Sequence, residues 1–303
     1  MTKVLGIVLL GIMLAVPGRL QAQATGVARP APQAITIEGA ERYTLATTRS
    51  TRTYQIDVFR VESTVVPPPA SHQLPVIYVL DGNSLFLLVS HIANTIVTFS
   101  NKMPAALVVS IGYPADPALS RAANIKNQLT WRSRDLSPPL TSGKPPANGT
   151  GGAVDFLAFI EQDLKPFVAS RYPVDPGDQT LVGHSFSGLF TVHTLLNSPR
   201  SFTRYVAASP SLFWDEHASI KQAQTFAARF GAVPGRLFVC VGDQETLERM
   251  GQDMIGDARA LLAALPMPKG GLEAKFHLFP DENHLSVVPG CLMRGLLEVG
   301  ALR

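Results

Sequence analysis

Cysteine is scarce in this sequence. Cys240 and Cys291 are the only two in 303 residues, with no CxxC and no paired-histidine zinc spacing, so a disulfide-stapled miniature scaffold and a zinc module are both excluded. Charge is thin too: charged residues make up 16% against the ~25% of ordinary soluble domains, and the formal net charge is only +3. A nucleic-acid-binding face needs concentrated basic charge, so no nucleic acid partner is expected. Beyond the N-terminus no stretch reads as long and apolar enough to span a bilayer. With 46% hydrophobic residues, 24 Gly and 24 Pro, the chain is neither disordered, coiled-coil nor collagen-like, which leaves a compact globular fold.

What is present begins with a leader. Lys3, the apolar run Val4–Val16, the Pro17-Gly18 breaker and the small-residue site Ala22-Gln23-Ala24 mark residues 1–24 as a cleavable secretory signal. An uncleaved anchor is the alternative, but a run of ~13 residues falls short of the ~20 a spanning helix needs. Cleavage removes Lys3 and Arg19 and no acid, taking the net charge from +3 to +1. The mature chain is therefore expected to be periplasmic or secreted, without a stable membrane anchor. In such a compartment Cys240 and Cys291 either close a disulfide or remain two buried apolar thiols, and spacing alone leaves both open.

Residues 25–37 lack periodicity and are expected to form a flexible segment, with the folded domain spanning 38–303. Two alternating β-rich runs, Tyr43–Thr48 and Tyr54–Val61, predict an antiparallel hairpin at one sheet edge. The runs Pro75–Leu80, Ala105–Ile111, Gln179–Val182, Tyr205–Ala208, Leu237–Val241 and Lys275–Phe279 are short and nearly continuously apolar, as buried parallel strands are. Helical segments are predicted between them at Val154–Ser170, 186–197 and Thr246–Leu265. Alternating strand and helix implies an open α/β sheet in one domain. The Pro- and Gly-rich stretches Ser137–Gly152 and Pro266–Gly271 read as loops.

The chemistry concentrates at Gln179–Phe190, where an apolar strand runs into Gly183-His184-Ser185-Phe186-Ser187 and then a helix. A sharp strand-to-helix turn presents the central serine in a strained conformation and needs small residues two before and two after it, here Gly183 and Ser187. Ser185 is thus the expected nucleophile, with Ser187 standing where glycine is usual. A serine hydroxyl attacks carbonyl carbon only when an imidazole takes its proton and a carboxylate orients that imidazole. Past the strand Leu237–Val241 lie Asp243 and Glu245, and past Lys275–Phe279 lies His284, both at the strand edge where open α/β sheets bind ligands. His284 is the expected base. The acid is Glu245, favoured by the G-x-x-[DE] placement, or alternatively Asp243. His184 is expected to point away from the nucleophile. The oxyanion donors are expected from the backbone N–H groups of Phe186 and of Asn83 in the turn Asp81-Gly82-Asn83.

Five collinear motifs carry a resemblance: VIYVLDGNSLF at 76–86, RSRDLSP at 132–138, LVGHSFSGLF at 181–190, SPSLFWD at 209–215 and DENH at 281–284. Together they resemble the esterase branch of the α/β-hydrolases that holds the siderophore trilactone esterases of the enterobactin, salmochelin and bacillibactin type, and more distantly esterase D. The resemblance implies an α/β-hydrolase fold, with a mostly parallel central sheet, an antiparallel N-terminal hairpin and helices on both faces. It also implies Ser185 and His284 as the core pair with an acid near Glu245, no cofactor and no metal, and a small-molecule ester as partner. Siderophore-type catecholate esters are the leading substrate expectation. A general short-chain carboxylesterase is the alternative, as is an acyltransferase using the same triad. Arg121, Lys126, Arg132 and Arg134 lie between Asp116 and Asp135 without an intervening acid, and suit an anionic, iron-chelating substrate. Arg132, Arg134, Trp131 and Trp214 are accordingly the candidate substrate-binding residues; the competing reading pairs the arginines with Asp135 and Asp215.

Overall fold

The computed structural model describes residues 36–62, 73–100, 102–141, 149–265 and 271–300. The expected leader 1–24 and nearly all of the 25–37 segment lie outside the described residues, as do the middle of the Ser137–Gly152 loop and most of Pro266–Gly271. The chain from Glu38 onward forms one compact unit.

In chain order the elements are β1 Ala40–Ala46, β2 Thr53–Val61, β3 Leu74–Val79, α1 Gly82–Phe99, β4 Ala106–Gly112, α2 Arg121–Leu136, α3 Ala153–Phe159, a π-helical turn Ile160–Leu164 and α4 Lys165–Ala169. Then come β5 Val174–His184, α5 Phe186–Asn197, β6 Arg204–Ala208, α6 Trp214–Ala223, α7 Phe226–Phe230, β7 Gly235–Gly242, α8 Leu247–Met250, α9 Met254–Ala264, β8 Leu272–Phe279 and α10 Val288–Gly300. The strands form one sheet in the order β1-β2-β4-β3-β5-β6-β7-β8, in which β2 runs antiparallel to both neighbours and all other pairs are parallel.

Both faces of the sheet are covered, which is why its strands read as continuous apolar runs. Successive side chains alternate between faces. Val76 and Tyr78 of β3 join one cluster with Phe156, Phe190 and Leu261 from α3, α5 and α9, while Ile77 and Val79 join another with Val89 and Ile96 of α1 and Leu292 and Leu296 of α10.

Three expectations need correction. The basic stretch, which falls in none of the helical segments expected, forms the helix α2, opened by Ser120, whose side chain accepts the Ala123 N–H. The helix expected over Thr246–Leu265 is broken at Gly251, at φ 71, and restarts at Asp253, which caps α9 through the Gly256 N–H. The expected absence of any later stretch fit to span a bilayer fails for α1, which has the length and apolar composition; its buried face packs on the sheet. Of the two states left open for Cys240 and Cys291, the structure has the disulfide, which ties β7 to α10.

Candidate active site

β5 ends in the elbow. Ser185 has φ 62 and ψ −119, a region few non-glycine residues adopt, and its N–H donates to the Ala208 carbonyl of neighbouring β6 at 2.9 Å. The turn is tight: a Cβ on Gly183 would lie 2.2 Å from the Ser187 carbonyl oxygen. Only glycine fits there. Ser187 is fully buried, as the site two residues past the nucleophile demands of a small side chain.

β7 and β8 supply the other two groups. The Ser185 hydroxyl lies 3.0 Å from His284 Nε2, and His284 Nδ1 lies 2.6 Å from Glu245 Oε2. Glu245 has no solvent exposure; its second oxygen, Oε1, accepts the Ser209 hydroxyl at 2.6 Å and the Gly242 N–H at 2.7 Å. Burial alone would raise the Glu245 pKa, yet the hydrogen bonds from His284, Ser209 and Gly242 outweigh it and hold the carboxyl below the usual range. Asp243 stands apart from this chain of bonds: its N–H donates to the Phe279 carbonyl, and its buried Oδ1 has no partner among the described residues. The structure therefore brings Glu245, and not Asp243, to His284. The His284 turn is itself ordered by Asn283, whose Oδ1 accepts the Leu285 and Ser286 N–H groups.

The His184 ring lies 4.6 Å from the His284 ring, with Nε2 at 2.9 Å from the His284 carbonyl oxygen, a contact with the base that sequence reading did not foresee. That contact requires a proton on His184 Nε2. Burial, and then repulsion from His284, push the His184 pKa down to about 4, so near neutral pH the ring is an uncharged brace.

Asn83 and Phe186 lie in the first turns of α1 and α5, where N–H groups have no helical carbonyl to bond. The Asn83 side chain is occupied elsewhere, accepting the Tyr113 N–H at 2.7 Å and donating to the Tyr113 carbonyl at 2.9 Å, which leaves the backbone N–H as the donor it offers.

The candidate substrate cations are engaged internally. Arg132 Nε donates to Asp81 at 2.7 Å and Nη2 to the His184 carbonyl at 3.3 Å, with the guanidinium 5.7 Å from the Phe186 ring centre. Arg134 grips the fully buried Asp135 through two bonds of 2.6 and 2.8 Å. Arg132 thus braces Asp81 against the elbow and Arg134 is paired with Asp135, so both have internal partners; Arg121 and Lys126 lie exposed on α2. Of the two tryptophans, Trp214 meets Phe186 edge-to-face at 5.6 Å and donates its indole N–H to the Pro138 carbonyl, whereas Trp131 packs beside Tyr113 at the flank of the core. Sequence reasoning missed Asp81, Ser209 and the bracing contact of His184. The motifs containing them were visible, but nothing in a motif states which side chain faces which.

The chain is 32% identical over 279 residues to the ferri-bacillibactin esterase BesA of Bacillus subtilis, covering 87% of this chain and 90% of that one. It is 31% identical over 260 residues to the siderophore enterobactin esterase of Emericella nidulans, covering 75% and 82%. Among solved structures, the BES protein from Bacillus cereus superposes with a TM-score of 0.76 at 28% identity, covering 90% of this chain and 99% of that one. Siderophore hydrolase EstB from Aspergillus nidulans does so at 0.75 and 26%, covering 89% and 97%. The sheet order and these neighbours make the fold that of an α/β-hydrolase. Since the Esterase family model, described as "Putative esterase", matches residues 61–253, more than half of the sequence, the chain belongs to that family.

Proposed function

We propose that the chain is a secreted or periplasmic serine esterase that cleaves siderophore-type esters through an acyl-enzyme on Ser185. The observation that carries this reading is the continuous chain Ser185 Oγ, His284 Nε2, His284 Nδ1, Glu245 Oε2, with links of 3.0 and 2.6 Å. His284 Nε2 takes the hydroxyl proton as Ser185 Oγ attacks the ester carbon, and Glu245 stabilises the imidazolium that forms. The developing oxyanion is met by the N–H groups of Phe186 and Asn83. His284 returns the proton to the departing alkoxide, then deprotonates a water that releases the acid. Neutral His184 matters here, because a second positive ring 4.6 Å away would oppose charging His284.

The siderophore substrate rests on the relatives, two of which are named for esterase activity on ferri-bacillibactin and enterobactin. Arg132 and Arg134, already paired with Asp81 and Asp135, add no independent support. Export through the 1–24 leader is supported by the Cys240–Cys291 bridge, since disulfides persist in oxidising compartments. The test is the purified mature protein assayed on p-nitrophenyl acetate and on trilactone siderophores with and without iron, with and without an acceptor alcohol, alongside fluorophosphonate labelling. Labelling at Ser185 and hydrolysis lost by at least ~10³-fold in Ser185→Ala and in His284→Ala are expected. Labelling elsewhere, or turnover retained by Ser185→Ala, overturns the mechanism. Ester transfer to the alcohol in preference to water makes the protein an acyltransferase, and hydrolysis of simple esters alone makes it a general carboxylesterase.

A further inference from the structure

Ser187 occupies the elbow position that glycine usually fills, and its hydroxyl is buried at a junction. Within 2.8 Å of Ser187 Oγ lie the His184 N–H, the His184 carbonyl oxygen and Asp81 Oδ2. A hydroxyl has one proton to give. A carboxylate is the stronger acceptor, so the proton goes to Asp81 while Oγ accepts the His184 N–H. The other Asp81 oxygen takes Arg132 Nε, and Arg132 Nη2 returns to the His184 carbonyl. The result is a closed ring of bonds: elbow backbone, Ser187 hydroxyl, Asp81 carboxylate, Arg132 guanidinium, elbow backbone.

This ring joins the segment at Asp81 to the segment at Ser187, 106 residues apart in sequence, with Arg132 of α2 between them. Asp81 sits in the left-handed region, at φ 53 and ψ 42, and caps the helix whose next residues are Gly82 and Asn83. Gly82 is jammed against β4, where a Cβ would come within 2.7 Å of Ser110 Oγ. The turn can therefore shift neither toward β4 nor, with Asp81 held, away from the elbow. One segment carries the Phe186 N–H and the other the Asn83 N–H, the two donors assigned to the oxyanion.

We infer that Ser187 is a positioning residue: its hydroxyl, through Asp81 and Arg132, fixes the separation of the two oxyanion donors. An elbow with glycine at this position has no such strut. The inference rests on Ser185 acting as the nucleophile. It predicts a specific kinetic pattern, because a donor pair set for the tetrahedral oxyanion acts on the transition state and not on substrate binding.

The experiment compares wild type with Ser187→Gly, Ser187→Ala and Asp81→Asn on p-nitrophenyl acetate. It also measures affinity for a boronic acid that forms a tetrahedral adduct on the serine. In the Ser187 variants kcat should fall about ten- to hundredfold with KM within about twofold, as misplacement of a catalytic group does. Boronate affinity should weaken in the same proportion, and Asp81→Asn should follow the same pattern. Wild-type kcat in both Ser187 variants overturns the inference. So does a loss of kcat with unchanged boronate affinity, a rise in KM alone, or a fall of melting temperature beyond about 10 °C in both, which would make the hydroxyl a stability element. If the wild-type protein itself is neither active nor labelled at Ser185, the nucleophile assignment fails and this inference with it.

Discussion

Replacing Arg134 by glutamine separates the two readings of the basic segment. Asp135 is completely buried and receives Arg134 twice, at 2.6 and 2.8 Å, the Tyr54 hydroxyl at 3.1 Å, and the more distant Arg52 at 3.6 Å. Removing one partner of a buried ion pair leaves an uncompensated carboxylate and costs about 3–5 kcal/mol. Arg52 and Tyr54 remain, which favours the lower end, about 3 kcal/mol. For a domain of this size each kcal/mol moves the melting point by about 2 °C, so Arg134→Gln should lose roughly 6 °C. Thermal unfolding by circular dichroism at pH 7 in 0.05 and 0.5 M NaCl is the assay. The loss should be the same in both, because a buried pair escapes screening. KM for neutral and anionic esters should change alike or not at all. A variant melting within about 1 °C of wild type, with a selective, salt-sensitive rise in KM for an anionic catecholate ester, would refute the structural assignment and restore Arg134 as a substrate contact.

Three further expectations follow from the geometry. Glu245→Gln should lower kcat by at least ~10²-fold while Asp243→Asn changes it less than about threefold, read by steady-state kinetics, since only Glu245 bonds His284. Cys240→Ala with Cys291→Ala should cost about 4 kcal/mol, the chain entropy of a loop closed across 51 residues, read as a lower urea midpoint, whereas a midpoint unchanged from wild type would show that the bridge adds nothing to stability. His184 and His193 are held down to about pKa 4 by burial, below the ~6.5 of an unfolded histidine, so between those values the unfolded chain binds protons the folded chain refuses. Stability should therefore fall as pH drops from about 6.5 toward 4, and His193→Gln should flatten the urea-midpoint profile over that window.

The parallel strands were legible because burial on both faces writes an unbroken apolar run, and the elbow was legible because its sterics restrict residue types over five positions. Helix α2 was hidden for the opposite reason. Arg132, Arg134 and Asp135 form their ion pairs at its C-terminal end, where Asp135 and Leu136 are buried, while Ile125 and Leu129 farther up the helix are exposed, so no buried apolar stripe marks it. Helix α10 does carry a readable spacing in Cys291, Leu292, Leu296 and Val299, all buried. Its place against β7 was not readable, because the Cys240–Cys291 bridge that fixes it is a long-range contact. Glu245 could be favoured over Asp243 by spacing but not decided, since both follow the same strand and the choice depends on which side chain turns toward β8.

Apart from the kink at Asp215, Glu216 and His217 inside α6, the strained backbone positions lie at the site. Asp81, Ser185, Ser209 and Asp281 have φ values of 53, 62, 40 and 60, and they follow the C-terminal ends of β3, β5, β6 and β8. Each adjoins a group the chemistry uses: Asp81 precedes Asn83, Ser185 is the proposed nucleophile, Ser209 bonds Glu245, and Asp281 leads into His284. A left-handed conformation costs a non-glycine residue about 1–2 kcal/mol, so such positions persist only where the surroundings over-determine them. The surroundings here are the strands just below. The Ser185 N–H is fixed to Ala208 of β6 and the Ser209 N–H to Cys240 of β7, so these two strained turns are each bonded to the next strand of a sheet buried on both faces. Geometry at the open edge is therefore set by hydrogen bonds into a core that carries no chemistry. Moving the edge would require shifting the register of parallel strands, and a one-residue slip would turn every buried side chain to the other face.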